Sequence, residues 1–463
     1  MTNDVPPIAT QRQHVWHRPT GDVTDPWAWL RDRNDPETIP YLTAENTYAD
    51  AWFAKGEPSI ETIFQEIKSR VLETDESVPV FHNGWWYVSR TVEGLAYPIH
   101  CRGQSRDTAD GTVLLDENVE AGEHEYFAVG VFDLDKSHRY LAWSRDTDGS
   151  EQYTLLIRDL ETGIDLPDRI EGTSYAGVAF SADASHLFYV LNDEAMRPYR
   201  VMRHRIGTPQ TDDVEVWVDN DERFFVGVGT ARSANFIVIE SGSRTTGECH
   251  LIPADQPLAE PAVVRPRVDG VEYSIDDWGD RIVIHTNLDA EDFRVMTAPH
   301  DAPTVWSELI AHEPGRRIVD VDAFANFLVV QEWSMAQPRV RIVRRDGAES
   351  VISVLDEPHD IELDANPEWS TSTLRIAYQA MLTPPTVADY SLDNAAITVL
   401  KRVETPNVDL SDYVATREWA IADDGTKVPL DIVRRCDTPV NGTVSAVLYA
   451  YGSYEFSIAP RFS

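Results

Sequence analysis

Cysteine is scarce in the 463-residue chain: Cys101, Cys249 and Cys436 are far apart and stand in no CxxC or Cys/His pairing. This excludes a disulfide framework and gives no reason to expect a metal site. Positive charge is also short, with 40 Lys and Arg against 78 Asp and Glu and a net charge of -38. Such a balance excludes nucleic acid and anionic membrane as partners and suits a cationic one, although much of the acid serves solubility. No apolar stretch is long enough to span a bilayer, and "MTNDVPPIATQRQHVWHRP" has no apolar segment of the kind a signal peptide needs. The expected location is the cytoplasm. There is no Walker lysine, "GVGTAR" at Gly227 lacks the third glycine of a dinucleotide loop, and "HEYFA" at His124 and "HEPGR" at His312 lack a second histidine four residues on. No cofactor and no metal are expected.

A nucleophile elbow is missing too. "GTSYAG" at Gly172 to Gly177 has one residue too many after Ser174 for G-x-S-x-G, and it opens a strand instead of a strand-to-helix turn.

What is present is a large core: 42% of residues are hydrophobic and 10% aromatic, and the length suggests more than one domain. Residues 1–74 read as helical. Asp35-Pro36 offers a cap and an N1 proline for a first helix. In "PSIETIFQEIKSRVLE", Ser59 offers a cap and Ile60, Ile63, Phe64, Ile67 and Val71 form one stripe to be buried.

Residues 75–405 read as short strands and turns. Strand-like runs recur at Trp86, Leu141, Leu187, Phe236, Ile282, Phe327 and Leu374, at intervals of 55, 46, 49, 46, 45 and 47 residues. That spacing matches one four-stranded blade, and a seven-bladed β-propeller is expected over a pair of β-sandwiches. Within one unit, "YLAWSRDTDGSEQYTLLIRDLETG" reads strand, Asp148-Gly149 turn, strand, and a second turn at Thr162-Gly163.

Residues 406–463 change character again. "REWAIADDGTKVPLDIVRR" predicts a hairpin turning at Asp424-Gly425, and Val444 to Leu448 predicts a buried strand. This is how several open α/β sheets begin. The turn after such a strand places donors where ligands of α/β folds bind, and Tyr451 is placed to supply a phenolic donor there. Taken alone, "YGSY" also fits a packed aromatic turn.

The stretches "DPWAWLRD" at Asp25, "YLTAENTYAD" at Tyr41, "LLDENVEAGEHEYFAVG" at Leu114, "SEQYTLLIRDLETG" at Ser150, "YRVMRHRIGTP" at Tyr199 and "LYAYGSYEFSIAPRFS" at Leu448 together resemble the prolyl oligopeptidase family, nearest its oligopeptidase B (protease II) group. The resemblance implies a propeller capping an α/β-hydrolase domain, with the N-terminal segment packed on that domain. It further implies an acyl-enzyme serine peptidase acting on short peptides, in oligopeptidase B after Lys or Arg. Tyr451 would then be the oxyanion-hole donor, and Tyr454 would border the pocket for the residue before the scissile bond. Ala450 and Glu455 depart from the glycines usual in that group, and Glu455 would add charge near the pocket. The resemblance places the serine, aspartate and histidine, and the carboxylates that select basic side chains, beyond Ser463. The chain alone is therefore expected to be inactive, with short basic peptides and the missing catalytic-domain polypeptide as partners. A non-enzymatic propeller used for binding, and a proline-preferring peptidase, are the other readings.

Overall fold

In the computed structural model, residues 5–107, 111–406, 408–454 and 456–463 are described. The chain divides into two compact units, Met1–Leu72 and Glu73–Ser463.

The first unit contains a short hairpin, Val15–Arg18 against Gly21–Thr24, and two helices, α1 (Thr38–Phe53) and α2 (Glu57–Lys68). Its tryptophans anchor loops: Trp16 Nε1 donates to Asp25 at 3.0 Å and Trp29 Nε1 to the Thr10 carbonyl at 2.8 Å. Neither expected cap forms. Helix α1 starts after Pro36, with Glu37 at its cap position, while Asp35 accepts the Glu37 N–H and pairs with Arg12. Helix α2 begins two residues before Ser59, with proline in its first turn and no side-chain cap. Its expected core stripe is not buried: Ile63, Phe64 and Ile67 are all more than half exposed.

In the second unit, every one of the seven predicted runs is a strand: Trp85–Thr91, Tyr140–Asp146, His186–Asn192, Phe236–Gly242, Ile282–Thr286, Phe327–Ser334 and Thr373–Ala380. They fall on strands flanked by two others in their sheets, and many of their apolar residues are buried, with Leu141, Leu187 and Leu374 at 0% exposure. Seven separate blades, however, do not form. Five sheets have the size of one blade, four of them four-stranded and one five-stranded, while the strands from Ala128–Leu134 to Val214–Val218 make one continuous seven-stranded sheet. The expectation of a seven-bladed propeller is thus corrected to five blade-sized sheets and one wide one.

The reason lies in a single strand, Ile164–Phe180. Its first half pairs with Tyr153–Asp159 and its second half with His186–Asn192, across a register shift between Thr173 and Val178. Gly172 and Gly177 have φ of 73° and 99°, so the strand bends without ending. A Cβ on Gly177 would lie 2.1 Å from the Val228 carbonyl oxygen, so only glycine lets the neighbouring sheet approach here.

The last four-stranded sheet meets the five-stranded sheet that opens the unit through side chains. Lys401 pairs with Asp75 at 2.6 Å and the Arg375 guanidinium donates to the Pro79 carbonyl at 2.7 Å. Trp143 is the largest fully buried side chain, with the Arg158 guanidinium 5.0 Å from its ring and bonded in turn to Asp165 and Glu120.

The expected hairpin is present as Tyr413–Ile421 paired with Lys427–Arg435, turning at Asp424 and Gly425, whose φ is 88°. The buried strand from Val444 is not. Residues 444–448 lie outside any strand, with Val447 96% and Leu448 84% exposed. A β-branched run becomes a strand only where another backbone offers its N–H and C=O groups, and none among the described residues does so here. Among the described residues after 406, the structure therefore holds the anticipated hairpin and no buried strand following it.

Candidate functional site

Two places in the second unit gather chemistry. One is a cavity of about 1230 Å³ enclosed by the strands that begin successive sheets, including Ala128–Leu134, Phe225–Thr230 and Tyr273–Asp277. Its mouth is built from the turns that join first to second strands, among them 135–138, 231–234 and 365–369. Its lining carries the carboxylates of Asp133, Asp135, Glu240, Asp276 and Glu368. Burial pushes the Asp133 carboxyl up to about 7, with the charge of Asp135 adding to it. Asp276 is raised to about 6, again chiefly by burial, although its Oδ2 accepts the Ala323 N–H at 2.8 Å and Arg232 lies nearby. Glu240, also in the lining, is raised by burial and by Asp320, and Asp320, outside the lining in Arg316–Phe324, is raised by burial and by Asp322. Glu240 and Asp320 reach water yet are ringed by protein, so their charged forms are poorly solvated. Arg232 supplies the local countercharge, bonding Asp322 at 2.6 Å and lying 4.2 Å over the Phe324 ring.

The other place is the carboxy-terminal segment, held at the opposite end of the sheets. Arg417 bonds Asp431 within its own hairpin at 2.7 Å and donates to the Ala336 carbonyl, in a turn joining second to third strands. Arg461 bonds Asp360 at 2.9 Å, and the Phe462 N–H donates to Gln379 at 3.2 Å. Tyr451 is half exposed and meets Phe456 edge-on at 5.7 Å. Tyr454 is 76% exposed, has φ of 56°, and lies under the Arg244 guanidinium at 4.7 Å. The two tyrosines have different partners, and neither lines the cavity. Ala450 is exposed, and Glu455 lies outside the described residues. Ser174 sits within the strand Ile164–Phe180, 2% exposed, its hydroxyl accepting the Ala176 N–H. It has none of the exposure a nucleophile requires.

Sequence reasoning did not single out Asp133, Glu240, Asp276 or Asp320. The available signal was carboxylates set at period two inside apolar strands, as in "VFDLD" and "VDVDAF".

Set beside known proteins, residues 6–403 match the model for "Prolyl oligopeptidase, N-terminal beta-propeller domain". The chain belongs to the prolyl oligopeptidase family. It is 35% identical to dipeptidyl aminopeptidase BI of Pseudoxanthomonas mexicana, covering 99% of this chain and 66% of that protein. With protease 2 of Moraxella lacunata the identity is 31%, over 98% of this chain and 67% of the other. Oligopeptidase B from Trypanosoma brucei, solved in a closed form with covalently bound antipain, superposes with a TM-score of 0.89 at 31% identity, covering 99% of this chain and 69% of that one. Oligopeptidase B from Leishmania major gives a TM-score of 0.91 at 28% identity, covering 100% of this chain and 69% of that one. The chain thus spans about two thirds of the length of the relatives it matches. These relatives are named as peptidases. Among the described residues, no helix is long and apolar enough to cross a membrane.

Proposed function

We propose that the chain is the N-terminal portion of a serine peptidase that hydrolyses short peptides after Lys or Arg through an acyl-enzyme. The observation that carries this reading is the match to protease 2 at 31% identity over 98% of the chain. In this reading Tyr451 donates to the oxyanion and Tyr454 borders the pocket for the residue before the scissile bond. The serine, aspartate and histidine lie outside these 463 residues. The acid-lined cavity supports a basic substrate, because carboxylates in a low-dielectric enclosure attract cations over a longer range than in water. A companion polypeptide carrying the remaining third supplies the nucleophile and its base. A cytoplasmic location is part of the same proposal.

The test uses an arginyl chromogenic substrate and a fluorophosphonate label. The 463-residue chain alone is expected to give neither turnover nor labelling, and the chain joined to a polypeptide with a G-G-S-x-G-G-like elbow is expected to give both. In that joined enzyme Tyr451→Phe should lower kcat about 100- to 1000-fold. Turnover with serine labelling of the pure chain would overturn the division of parts, and cleavage only after proline would overturn the specificity. The 35% identity to a dipeptidyl aminopeptidase favours a second reading, release of dipeptides from a free N-terminus. Loss of activity on N-blocked arginyl substrates would select it.

A further inference from the structure

At the mouth of the cavity is a cluster for which the peptidase reading has no use. His82 ends the strand Val80–His82 of the first sheet, and the turn at Asn83-Gly84 returns the chain so that Tyr87 stands across from Val80. From the seven-stranded sheet, the turn after Ala128–Leu134 presents His138, 3% exposed and held at φ of 58°. The two imidazoles meet edge-on with centroids 4.3 Å apart, and the Tyr87 hydroxyl lies 2.6 Å from His138 Nδ1.

Three sheets converge here. The Asn83 side chain donates to the Lys136 carbonyl at 2.9 Å, and its N–H donates to Glu368, beyond the first strand of the last sheet, at 2.5 Å. The charged and titratable groups acting on the pair are Tyr87 and Arg102 from the first sheet, Asp135 from the seven-stranded sheet, and Glu368, while Asp133 and Lys136 line the same cavity. Arg102 donates to the His138 carbonyl at 2.5 Å and lies 4.1 Å over the Trp85 ring. Asp135 is occupied by its own turn, accepting the Ser137 and Tyr140 N–H groups at 2.8 and 2.5 Å. Among the described residues, no carboxylate is bonded to either imidazole.

We propose that His82 and His138 form an acid-operated latch: neutral, they hold the first sheet to the seven-stranded sheet at the cavity mouth, and protonated, they repel and release it. The closed geometry disfavours charge. Burial pushes His138 down to about 4, with His82 and Arg102 lowering it further against Asp135, and burial lowers His82 against the opposing pull of Glu368. In a released junction the rings regain the ordinary value near 6.5, so the open form binds more protons between pH 6.5 and about 4. The stabilisation of the closed form is fully present above pH 6.5 and lost on descent through that window. The opening equilibrium should rise on the order of a hundredfold from His138 alone. This inference does not depend on the peptidase reading.

The test is 19F NMR of the 463-residue chain labelled with 5-fluorotryptophan, with Trp85 and the buried Trp278, in a core cluster of other sheets, assigned by Trp→Phe substitution. The Trp85 signal should shift or split between pH 6.5 and 4 while Trp278 stays fixed. His138→Asn, chosen because asparagine tolerates the left-handed backbone, should abolish that transition. His82→Gln leaves the His138 turn intact and should reduce the opened fraction at pH 4.5 at least threefold, which decides the matter should His138→Asn not fold. A Trp85 transition unchanged in both variants, no transition at all, or Trp85 and Trp278 moving together as in general acid unfolding would each overturn the latch.

Discussion

The run from Leu187 to Val190 and the run from Val444 to Leu448 are both short and apolar, and they end in opposite conditions. The first is at most 1% exposed, bonded to Ile164–Phe180 on one side and to Pro198–Arg205 on the other. The second makes no strand, and Val447 and Leu448 stand almost wholly in solvent. Apolar composition sets how much a residue gains from burial. Whether it becomes a strand depends on neighbouring backbones that pair with it, which is information held elsewhere in the chain.

The largest effect should come from breaking the buried side of this contrast. Leu187→Ala removes a side chain at 0% exposure inside a cluster with Ile170, Phe180 and Tyr189. It should cost about 2–5 kcal/mol, through lost transfer energy and the cavity left behind. Urea unfolding followed by tryptophan fluorescence measures this, with the midpoint falling at an unchanged slope. A cost below about 1 kcal/mol would mean that the core relaxes around this position.

A smaller loss should follow from Gly177→Ala, which probes why one wide sheet stands where the spacing predicts two blades. The new Cβ meets the Val228 carbonyl oxygen at 2.1 Å and sits at a φ of 99°. Backbone strain of this kind costs about 1–3 kcal/mol, with the displacement of the adjoining strand added. The same denaturation experiment reads it, and hydrogen exchange should localise the change to the Phe225–Thr230 edge. Gly163→Ala, which meets nothing within 4 Å, is the control for positive φ alone.

These positions also show what the sequence made legible. The seven recurring runs could be placed because strands buried on both faces leave continuous apolar stretches such as "LFYV" and "FLVV". The hairpin at Asp424-Gly425 was readable from its turn chemistry. Sheet boundaries were not, since the glycine bends of Ile164–Phe180 look the same in sequence as the end of one strand and the start of another. Helix caps failed for a related reason: Asp35 had a competing partner in Arg12, which no local pattern reveals. Tyr451 was noticed from the turn after the predicted strand, whereas its oxyanion role and the choice of Tyr454 came only through family resemblance. The cavity carboxylates were hidden among 78 acidic residues, because which of them line a cavity depends on how the sheets are arranged around it.

The smallest effect should come from the exposed side of the contrast, and it is the sharpest test of what exposure means. Val447→Ser removes apolar surface that is 96% accessible, so the folded chain loses almost no burial. Its unfolding free energy should stay within about 0.5 kcal/mol of the unaltered chain, as for surface positions generally. A loss approaching that of Leu187→Ala would show that residues 444–448 are already packed in solution. If the proposed joined enzyme is made, the prediction changes sign of importance: once neighbouring strands cover Val447, the same substitution should cost about 1–3 kcal/mol by leaving a hydroxyl without a partner in an apolar layer. One side chain, neutral in the isolated chain and costly in the joined one, would then report that the missing neighbours had arrived.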